Sequence, residues 1–406
     1  MNFRRIHIVL GSLILICFSV SFNTMLIDSA QVSVVLKSKK EIYTAGEEIQ
    51  LNFELNTPVS TQLFLHSSFG NILLQSENGQ FILPKFLSNN KGVIQYTLLH
   101  DSEQLLSGII KVLANTNTKV QLESYIGPPS ITAGGNDYTM PVIIPADIYD
   151  NPLPDSTEIV LKHQFLSNEK EEIVYTKDLI GWSTIFSYEQ SGRLLLSSKV
   201  KETSSKEFSI VVFPAIPESF QINAKRKHEY ADGNQIAELI TSTLNDQYGN
   251  IISDGTLVTF QIKNKKGVLL KTQASTVRGI AIAKMLHPDH EDSWEIKAFV
   301  SGIAESDTIH IEYESVLDDF KVQFSENNRE IIVGPLVSFM EQLIPDGATV
   351  VLRISQEDNL IDTKMTTSSN GVVTFKVSEG FYANGNYNLK IKVLGVEKQY
   401  ENILMQ

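Results

Sequence analysis

The sequence predicts an all-β protein, a tandem array of four β-sandwich domains that follow an N-terminal signal peptide. Three observations lead to this prediction: a block that recurs along the chain, short segments in which apolar and polar residues alternate, and an apolar segment at the start. Alternation with a period of two places every second side chain on one face of a strand. Helical periodicity is not sustained after the first segment, so β structure is favoured throughout.

The recurring block sets the size of the domains. The segments ADGN at 231–234 and DQYGN at 246–250 recur, roughly 100 residues upstream, as AGGN at 133–136 and DIYDN at 147–151. An immunoglobulin-like sandwich contains about 100 residues. We therefore expect one immunoglobulin-like domain per repeat, and a chain of 406 residues accommodates four such domains.

The first element in chain order is the export segment, residues 1–30. Arg4 and Arg5 precede an apolar stretch that ends in small residues, and Ala30 is an alternative cleavage position. This pattern predicts secretion through a signal peptide. The alternative is an uncleaved anchor, which is less favoured because a membrane span needs about 20 apolar residues. The single cysteine, Cys17, lies in this segment, so we expect the mature protein to have no disulfide.

Four domains are predicted to follow the signal peptide. Their expected bounds are 31–126 for a divergent immunoglobulin-like or macroglobulin-like sandwich, 127–215 and 216–315 for two immunoglobulin-like domains, and 316–406 for a C-terminal immunoglobulin-like domain. Proline-containing or acidic segments interrupt the alternation at each of the three boundaries. Prolines stiffen short linkers, so the sequence predicts a semi-rigid rod rather than a flexible string of domains.

Alternating strands recur at matching places in these domains. Residues 258–262 (VTFQI) and 350–354 (VVLRI) each place apolar side chains on one face. Gly181 and Gly279 each precede a further strand, where glycine supplies the positive φ that a tight hairpin entry requires. The recurring turn segments, the alternating strands and the strands preceded by glycine follow one another in the same order. This order indicates related domains rather than chance.

The motifs of the second and third units resemble the immunoglobulin-like repeats of the invasin and intimin adhesins of bacteria. In the third unit the resemblance rests on the segments at 231–234, 246–250 and 278–281 (RGIA), and in the second on 147–153 (DIYDNPL). In that family the repeats are stalk elements of surface proteins, and this role is what the resemblance implies. The opening YTAGEEI of the first unit, at 43–49, is similar to that of macroglobulin-type sandwich domains.

Charge and motif content narrow the function classes. The formal net charge of −13 argues against nucleic acid and against an anionic membrane surface as partners. The sequence contains no Gly-x-Ser-x-Gly, no phosphate-binding loop and no His-Glu-x-x-His. We therefore expect no catalytic residues, no cofactor and no enzymatic activity.

The most polar cluster is the segment HPDHED at 287–292. His287, Asp289 and His290 are its weak candidates for a transition-metal site. The favoured interpretation is a solvated hairpin loop, because ligands from one short loop rarely converge on one ion, so we expect no metal site. Asp147 and Asp246, with neighbouring Asn residues, have oxygens suited to Ca²⁺. Capping of their own turns explains the same residues without a metal.

The two tryptophans separate a structural from a ligand-binding interpretation. Trp294 lies in register with Tyr387 on the inner face, which predicts a core position. Trp182 follows Gly181 and steps out of the inward register, so we expect it to be exposed. Trp182 is therefore the candidate contact for a sugar or a partner protein.

These observations predict a secreted, non-enzymatic structural and adhesion protein of the bacterial cell surface or envelope, with the periplasm as the alternative location. Its expected partners are proteins or glycans, with no nucleic acid and no membrane span in the mature chain. The alternatives are a carbohydrate-binding surface protein that uses exposed aromatics, and an accessory subunit of an envelope secretion or assembly complex. Sheet edges offer a further mode of assembly, since their unpaired backbone groups accept a strand from a neighbour.

Overall fold

The computed structural model of the protein describes residues 32–38, 40–357 and 359–406. The predicted signal peptide and Cys17 lie outside the described residues. In the described parts of the chain, β-strands dominate and one short helix is present. They form successive two-sheet sandwiches, which confirms the all-β tandem prediction.

The first domain packs a three-stranded sheet against a five-stranded sheet. Its elements are β1 (Val34–Leu36), β2 (Ile42–Thr44), β3 (Gln50–Leu55), β4 (Thr61–Ser67), β5 (Gly70–Ser76), β6 (Gln80–Ile82), the helix α1 (Lys85–Ser88), β7 (Gly92–His100) and β8 (Glu103–Leu113). The strand orders are β1-β3-β6 and β2-β8-β7-β4-β5. Alternation buries Leu51 and Phe53 of β3 against Leu63 and Leu65 of β4, and this shared apolar interior holds the two sheets together.

The second domain contains ten strands. They are β9 (Gln121–Gly127), β10 (Ser130–Thr132), β11 (Tyr138–Ala146), β12 (Glu158–Phe165), β13 (Asn168–Tyr175), β14 (Gly181–Trp182), β15 (Ile185–Phe186), β16 (Gly192–Val200), β17 (Thr203–Ser204) and β18 (Phe208–Phe213). One sheet has the order β10-β18-β16-β12-β13, with β17 on β16, and in the other β11 pairs with β9, β14 and β15. Because β9 pairs with β11 along its whole length, this strand belongs to the second domain, whereas the predicted boundary assigns residues 121–126 to the first.

The third domain repeats this plan. Its strands are β19 (Ile222–Lys225), β20 (Ile236–Thr241), β21 (Leu257–Lys263), β22 (Leu269–Ser275), β23 (Ile282–Leu286), β24 (Asp292–Val300), β25 (Ala304–Glu305) and β26 (Ile309–Tyr313). The sheets are β19-β20-β23 and β22-β21-β24-β25, with β26 on β24. Phe260 pairs with Ala298 in register, and both are fully buried. Trp294 is 1% exposed, so its predicted core position is confirmed.

The fourth domain has two sheets, and a buried arginine closes one end. Its strands are β27 (Val322–Phe324), β28 (Glu330–Val333), β29 (Thr349–Gln356), β30 (Asn359–Thr367), β31 (Val373–Lys376), β32 (Gly385–Val393) and β33 (Val396–Met405), in the orders β27-β28-β31 and β30-β29-β32-β33. The Arg329 guanidinium donates to the carbonyl oxygens of Gln406 (2.8 Å) and Tyr382 (3.1 Å) and to Oδ1 of Asn384 (2.7 Å). These bonds tie the C-terminal strand to the β31–β32 loop.

Candidate functional site

The recurring Asp-x-Tyr-x-Asn segment forms a tight turn between β11 and β12 of the second domain. The N–H of Asp147 donates to the carbonyl of Asn151 (3.0 Å), and the N–H of Asp150 donates to the carbonyl of Asp147 (3.2 Å). The Asp147 carboxylate, which is fully buried, accepts the N–H groups of Tyr149 (2.8 Å) and Asn151 (3.0 Å). Aspartate caps its own turn in this way, as its side-chain length allows.

Side chains of the same turn also form hydrogen bonds to the first domain and to the connecting segment. Asp147 Oδ2 accepts the N–H of Asn115 in the connection between the domains, at 2.7 Å. The Asn151 carboxamide bridges the α1–β7 loop, because Nδ2 donates to the carbonyl of Asn89 (2.7 Å) and Oδ1 accepts the N–H of Lys91 (2.6 Å). We call Asp147, Tyr149 and Asn151, and their counterparts in other domains, the Asp–Tyr–Asn clamp.

Tyr149 completes the clamp by close packing against a glycine. Gly46 of the first domain has φ +86°, and a Cβ built on it would overlap the Tyr149 hydroxyl. The Tyr149 ring packs against the core of the first domain, so one side chain from the second domain extends the neighbouring hydrophobic core. Only glycine meets both requirements at this position, since a side chain would be strained by the positive φ and blocked by the ring.

A second clamp joins the second and third domains in the same way. Asp246 Oδ2 accepts the N–H of Ala215 (2.7 Å), and the Asn250 carboxamide donates to the carbonyl of Glu189 (2.7 Å) and accepts the N–H of Ser191 (2.8 Å). The Tyr248 hydroxyl lies 2.9 Å from where a Cβ on Gly134 would stand. The two junctions therefore have the same set of hydrogen bonds and the same contact between a tyrosine and a glycine.

Hydrogen bonding also fixes the charge state of Asp246. Burial by itself raises its pKa, but the bonds donated by Asn250, Ala215 and Tyr248 outweigh burial and lower the pKa overall. The carboxylate is therefore ionised when it holds the junction. Its oxygens receive N–H donors, which is the geometry of a hydrogen-bonded turn rather than of a Ca²⁺ site. In residues 32–38, 40–357 and 359–406, no group of three His, Cys, Asp or Glu side chains is placed to hold a metal ion.

The loop at 287–292 separates the metal-ligand candidates instead of gathering them. The His287 side chain is fully buried, its Nδ1 lies 3.0 Å from the Tyr230 carbonyl oxygen, and its Nε2 has no hydrogen-bond partner. His290 is partly exposed and pairs with Asp289 (2.7 Å). Burial lowers the pKa of His287 more than its bond to Tyr230 raises it, so the neutral imidazole is favoured.

A cavity of about 430 Å³ lies beside this loop, between the third and fourth domains. The third domain contributes Gly233, Pro288 and Asp289, and the fourth contributes Ala348 and Leu394. No Asp–Tyr–Asn turn is among the residues that line this space. This cavity was not predicted from the sequence.

Trp182 is exposed, as its register predicts, and it belongs to a wider aromatic face on the second domain. Trp182 (53% exposed) and Tyr125 (58% exposed) are both register partners of Val142, on opposite sides of β11. Side chains of paired residues lie on the same face of a sheet. Tyr138 and Phe186 form a second registered pair on this face, with ring centroids 5.7 Å apart.

Strand β11 is apolar on both of its faces. Apart from Thr139, the inward residues are apolar and buried, as at Pro141 and Ile143, whereas Met140, Val142 and Ile144 are half-buried on the outward side. A strand that is apolar on both sides is typical of a sheet covered on both sides. We call Tyr125, Tyr138, Met140, Val142, Ile144, Trp182 and Phe186 the aromatic face.

The corresponding sheet of the third domain lacks this character. On β20 and β23 the three outward pairs are Ile236 with Leu286, Glu238 with Lys284 and Ile240 with Ile282, so a charged pair divides the apolar surface and no ring is present on these two strands. The aromatic face of the second domain thus has no counterpart on these strands of the third domain, so it does not follow from the sandwich fold alone. Trp182 was predicted from the sequence to be exposed, whereas Tyr125 was not predicted, because it lies before the predicted domain boundary.

Comparisons with known proteins find similarity to solved structures alone. No protein-family model and no curated protein matches it. The solved adhesin FdeC of Escherichia coli is 13% identical over 70% of this chain and 98% of its own length, with a TM-score of 0.44. Invasin, a bacterial integrin-binding protein, is 13% identical over 91% of this chain and 78% of its own length, with a TM-score of 0.46.

A macroglobulin is also among the similar structures. The alpha-2-macroglobulin of E. coli is 10% identical over 92% of this chain, which spans 28% of the macroglobulin, with a TM-score of 0.24. The similar structures thus include both groups that the sequence motifs resemble. Within the described part of the chain, no helix has the length and apolar character needed to cross a bilayer.

Proposed function

We propose that this chain is a non-enzymatic adhesion protein of the bacterial cell surface or envelope, in which immunoglobulin-like domains form a semi-rigid stalk. The observation that carries the proposal is the repeated Asp–Tyr–Asn clamp, which joins the first three domains to one another through the same set of hydrogen bonds. Interfaces between domains of one chain ordinarily permit relative motion unless they are large and apolar. A specific clamp at two successive junctions instead favours a spacer of defined shape.

The aromatic face supports a contact role for the second domain. Tyr, Trp and Phe, together with Met, are enriched in protein–protein interfaces, where they supply large apolar area. The strip of Met140, Val142 and Ile144 offers no side-chain hydrogen-bonding group. Sugar hydroxyls laid on this strip would lose their water partners without replacement, so the strip favours a protein partner over a glycan.

Surface display tests the adhesive role. The full chain is displayed on a bacterium that has no adhesins of its own, with display verified by antibody, and attachment to a panel of cells and immobilised surface proteins is counted. We expect attachment to rise with wild type and to fall with Trp182→Ala. The matched control is Ile282→Ala, which truncates an outward-facing side chain of the third domain that is 51% exposed. Verified display with no gain in attachment would reject the adhesive role.

A carbohydrate-binding function is the second candidate, and the placement of Trp182 and Tyr125 on either side of Val142 favours it. Sugar rings stack their C–H faces on exposed aromatic rings of this kind. A glycan array probed with wild type, Trp182→Ala and Ile282→Ala distinguishes the two candidates. Binding to defined glycans that disappears only in Trp182→Ala supports the carbohydrate function, whereas an empty array with retained cell attachment supports a protein partner.

A further inference from the structure

The fourth domain retains the backbone of the clamp turn. Val337 bridges Leu343 as Asn245 bridges Ile251 in the third domain. The N–H of Ser338 donates to the carbonyl of Gln342 (2.8 Å), as the N–H of Asp246 donates to that of Asn250 (3.0 Å) in the third domain. The turn hydrogen bonds therefore align Ser338, Met340 and Gln342 with the Asp, Tyr and Asn of the clamp.

The side chains on this turn are not those of a clamp. Ser338 lacks a carboxylate to accept the N–H of the connecting segment, Met340 is 58% exposed, and the Gln342 side chain is longer by one methylene than asparagine. The contact made by this turn is instead apolar, since the ring of Phe339 lies 4.8 Å from that of Tyr230 in the third domain. A ring contact of this kind is less directional than the three hydrogen bonds that a clamp makes across its junction.

The receiving side of the third domain keeps its geometry. The N–H of Gly233 donates to the carbonyl of Pro288 at 2.9 Å, as Gly46 donates to Ser88 (3.0 Å) and Gly134 to Tyr188 (2.9 Å) in the domains before it. The fourth domain meets this side through a hairpin turn. A Cβ on Gly395 would lie 2.6 Å from Cβ of His290.

The cavity of about 430 Å³ lies at this junction, beside Gly233 and Pro288. Both halves of the clamp backbone are thus present at this junction, but the side chains that form the hydrogen bonds of a clamp are absent.

We propose that the junction between the third and fourth domains is the articulated joint of this chain. The first three domains move as one body because the Asp–Tyr–Asn clamp holds each junction, and the fourth domain samples a wider range of orientations. Hinges of this kind lie in a few residues at the ends of domains and need no change within the domains themselves. The inference rests on junction geometry and is independent of what the chain binds.

Distances between spin labels measure the motion directly in the full chain. Glu171, Lys271 and Thr363 are exposed positions on β13, β22 and β30 of the second, third and fourth domains. These positions are replaced two at a time by cysteine in a Cys17→Ser background, and a spin label is attached to each cysteine. Pulsed electron resonance then gives the distribution of distances between the two labels. We expect the 271–363 distribution to be at least about twofold broader than the 171–271 distribution.

Two sets of substitutions test the cause. The triple change Ser338→Asp, Met340→Tyr and Gln342→Asn rebuilds the clamp, and we expect it to narrow the 271–363 distribution toward the width of 171–271. The double change Asp246→Ala and Asn250→Ala removes a clamp, and we expect it to broaden 171–271. Equal widths at the two junctions of the wild-type chain overturn the proposal, whether or not the rebuilt variant folds. A folded triple variant with unchanged width overturns it as well.

Discussion

Replacing Asn250 by alanine removes the carboxamide that joins the second and third domains. The change deletes the bond from Nδ2 to the Glu189 carbonyl (2.7 Å) and the bond from the Ser191 N–H to Oδ1 (2.8 Å). A hydrogen bond between neutral groups contributes about 1 kcal/mol net, so two of them contribute about 2 kcal/mol to closing the junction. A loss of about 2 kcal/mol raises the ratio of open to closed junction by about 30-fold.

Hydrogen exchange followed by mass spectrometry measures this opening. In Asn250→Ala we expect a peptide covering residues 188–192 to exchange faster, with the Ser191 amide accelerated by about 30-fold. The loop at 88–91 is an internal control, because the clamp that holds it through Asn151 is unchanged. Asn245→Ala is the matched variant, since the Asn245 carboxamide is exposed and donates only within its own domain, to the Thr243 carbonyl at 3.4 Å. Unchanged exchange at Ser191 in a folded Asn250→Ala protein would refute the role assigned to the clamp.

Three further predictions concern the interiors of the domains. Trp294 is 1% exposed, so Trp294→Ala leaves a core cavity and should destabilise the third domain by about 3–5 kcal/mol. Urea unfolding followed by circular dichroism measures this loss. Trp182→Ala is the exposed control, and an equal loss of stability there would contradict the assignment of core and surface. The pKa of His287 is lowered in the folded state, mainly by burial, so the unfolded chain binds the proton first and stability falls as pH drops below about 6.5. His287→Gln should flatten this dependence, and an unchanged pH profile of stability in that variant would contradict the prediction. Arg329→Ala should destabilise the fourth domain by about 3 kcal/mol or more, since charged hydrogen bonds to buried carbonyls are lost; a melting temperature unchanged in calorimetry would contradict it.

The sequence was sufficient for the class of fold and for the faces of the strands. Alternation at 258–262 placed Phe260 inside and its neighbours outside, and the structure has this arrangement. The register that separated Trp294 from Trp182 also predicted which tryptophan is buried and which is exposed. These properties are local, because in a strand the direction of each side chain follows from its position in the alternation.

The partners of the recurring turn were not predictable in the same way. Capping of the turn by Asp147 and Asp246 was visible in the sequence, since aspartate reaches its own backbone two residues on. The bond from Asn151 to Asn89 crosses 62 residues of chain, and no local pattern indicates it. The available signal was the recurrence of the motif at the same place in successive domains, which a turn alone does not require.

The sequence by itself determined that this protein is a series of β-sandwiches, because strand periodicity and repeat length are written along the chain. Only the tertiary structure decided how neighbouring domains are joined, that β9 brings Tyr125 beside Val142 and Trp182, and that His287 and His290 do not converge. The physical reason is that local periodicity specifies which side a residue faces, whereas the packing of distant segments specifies what it meets there.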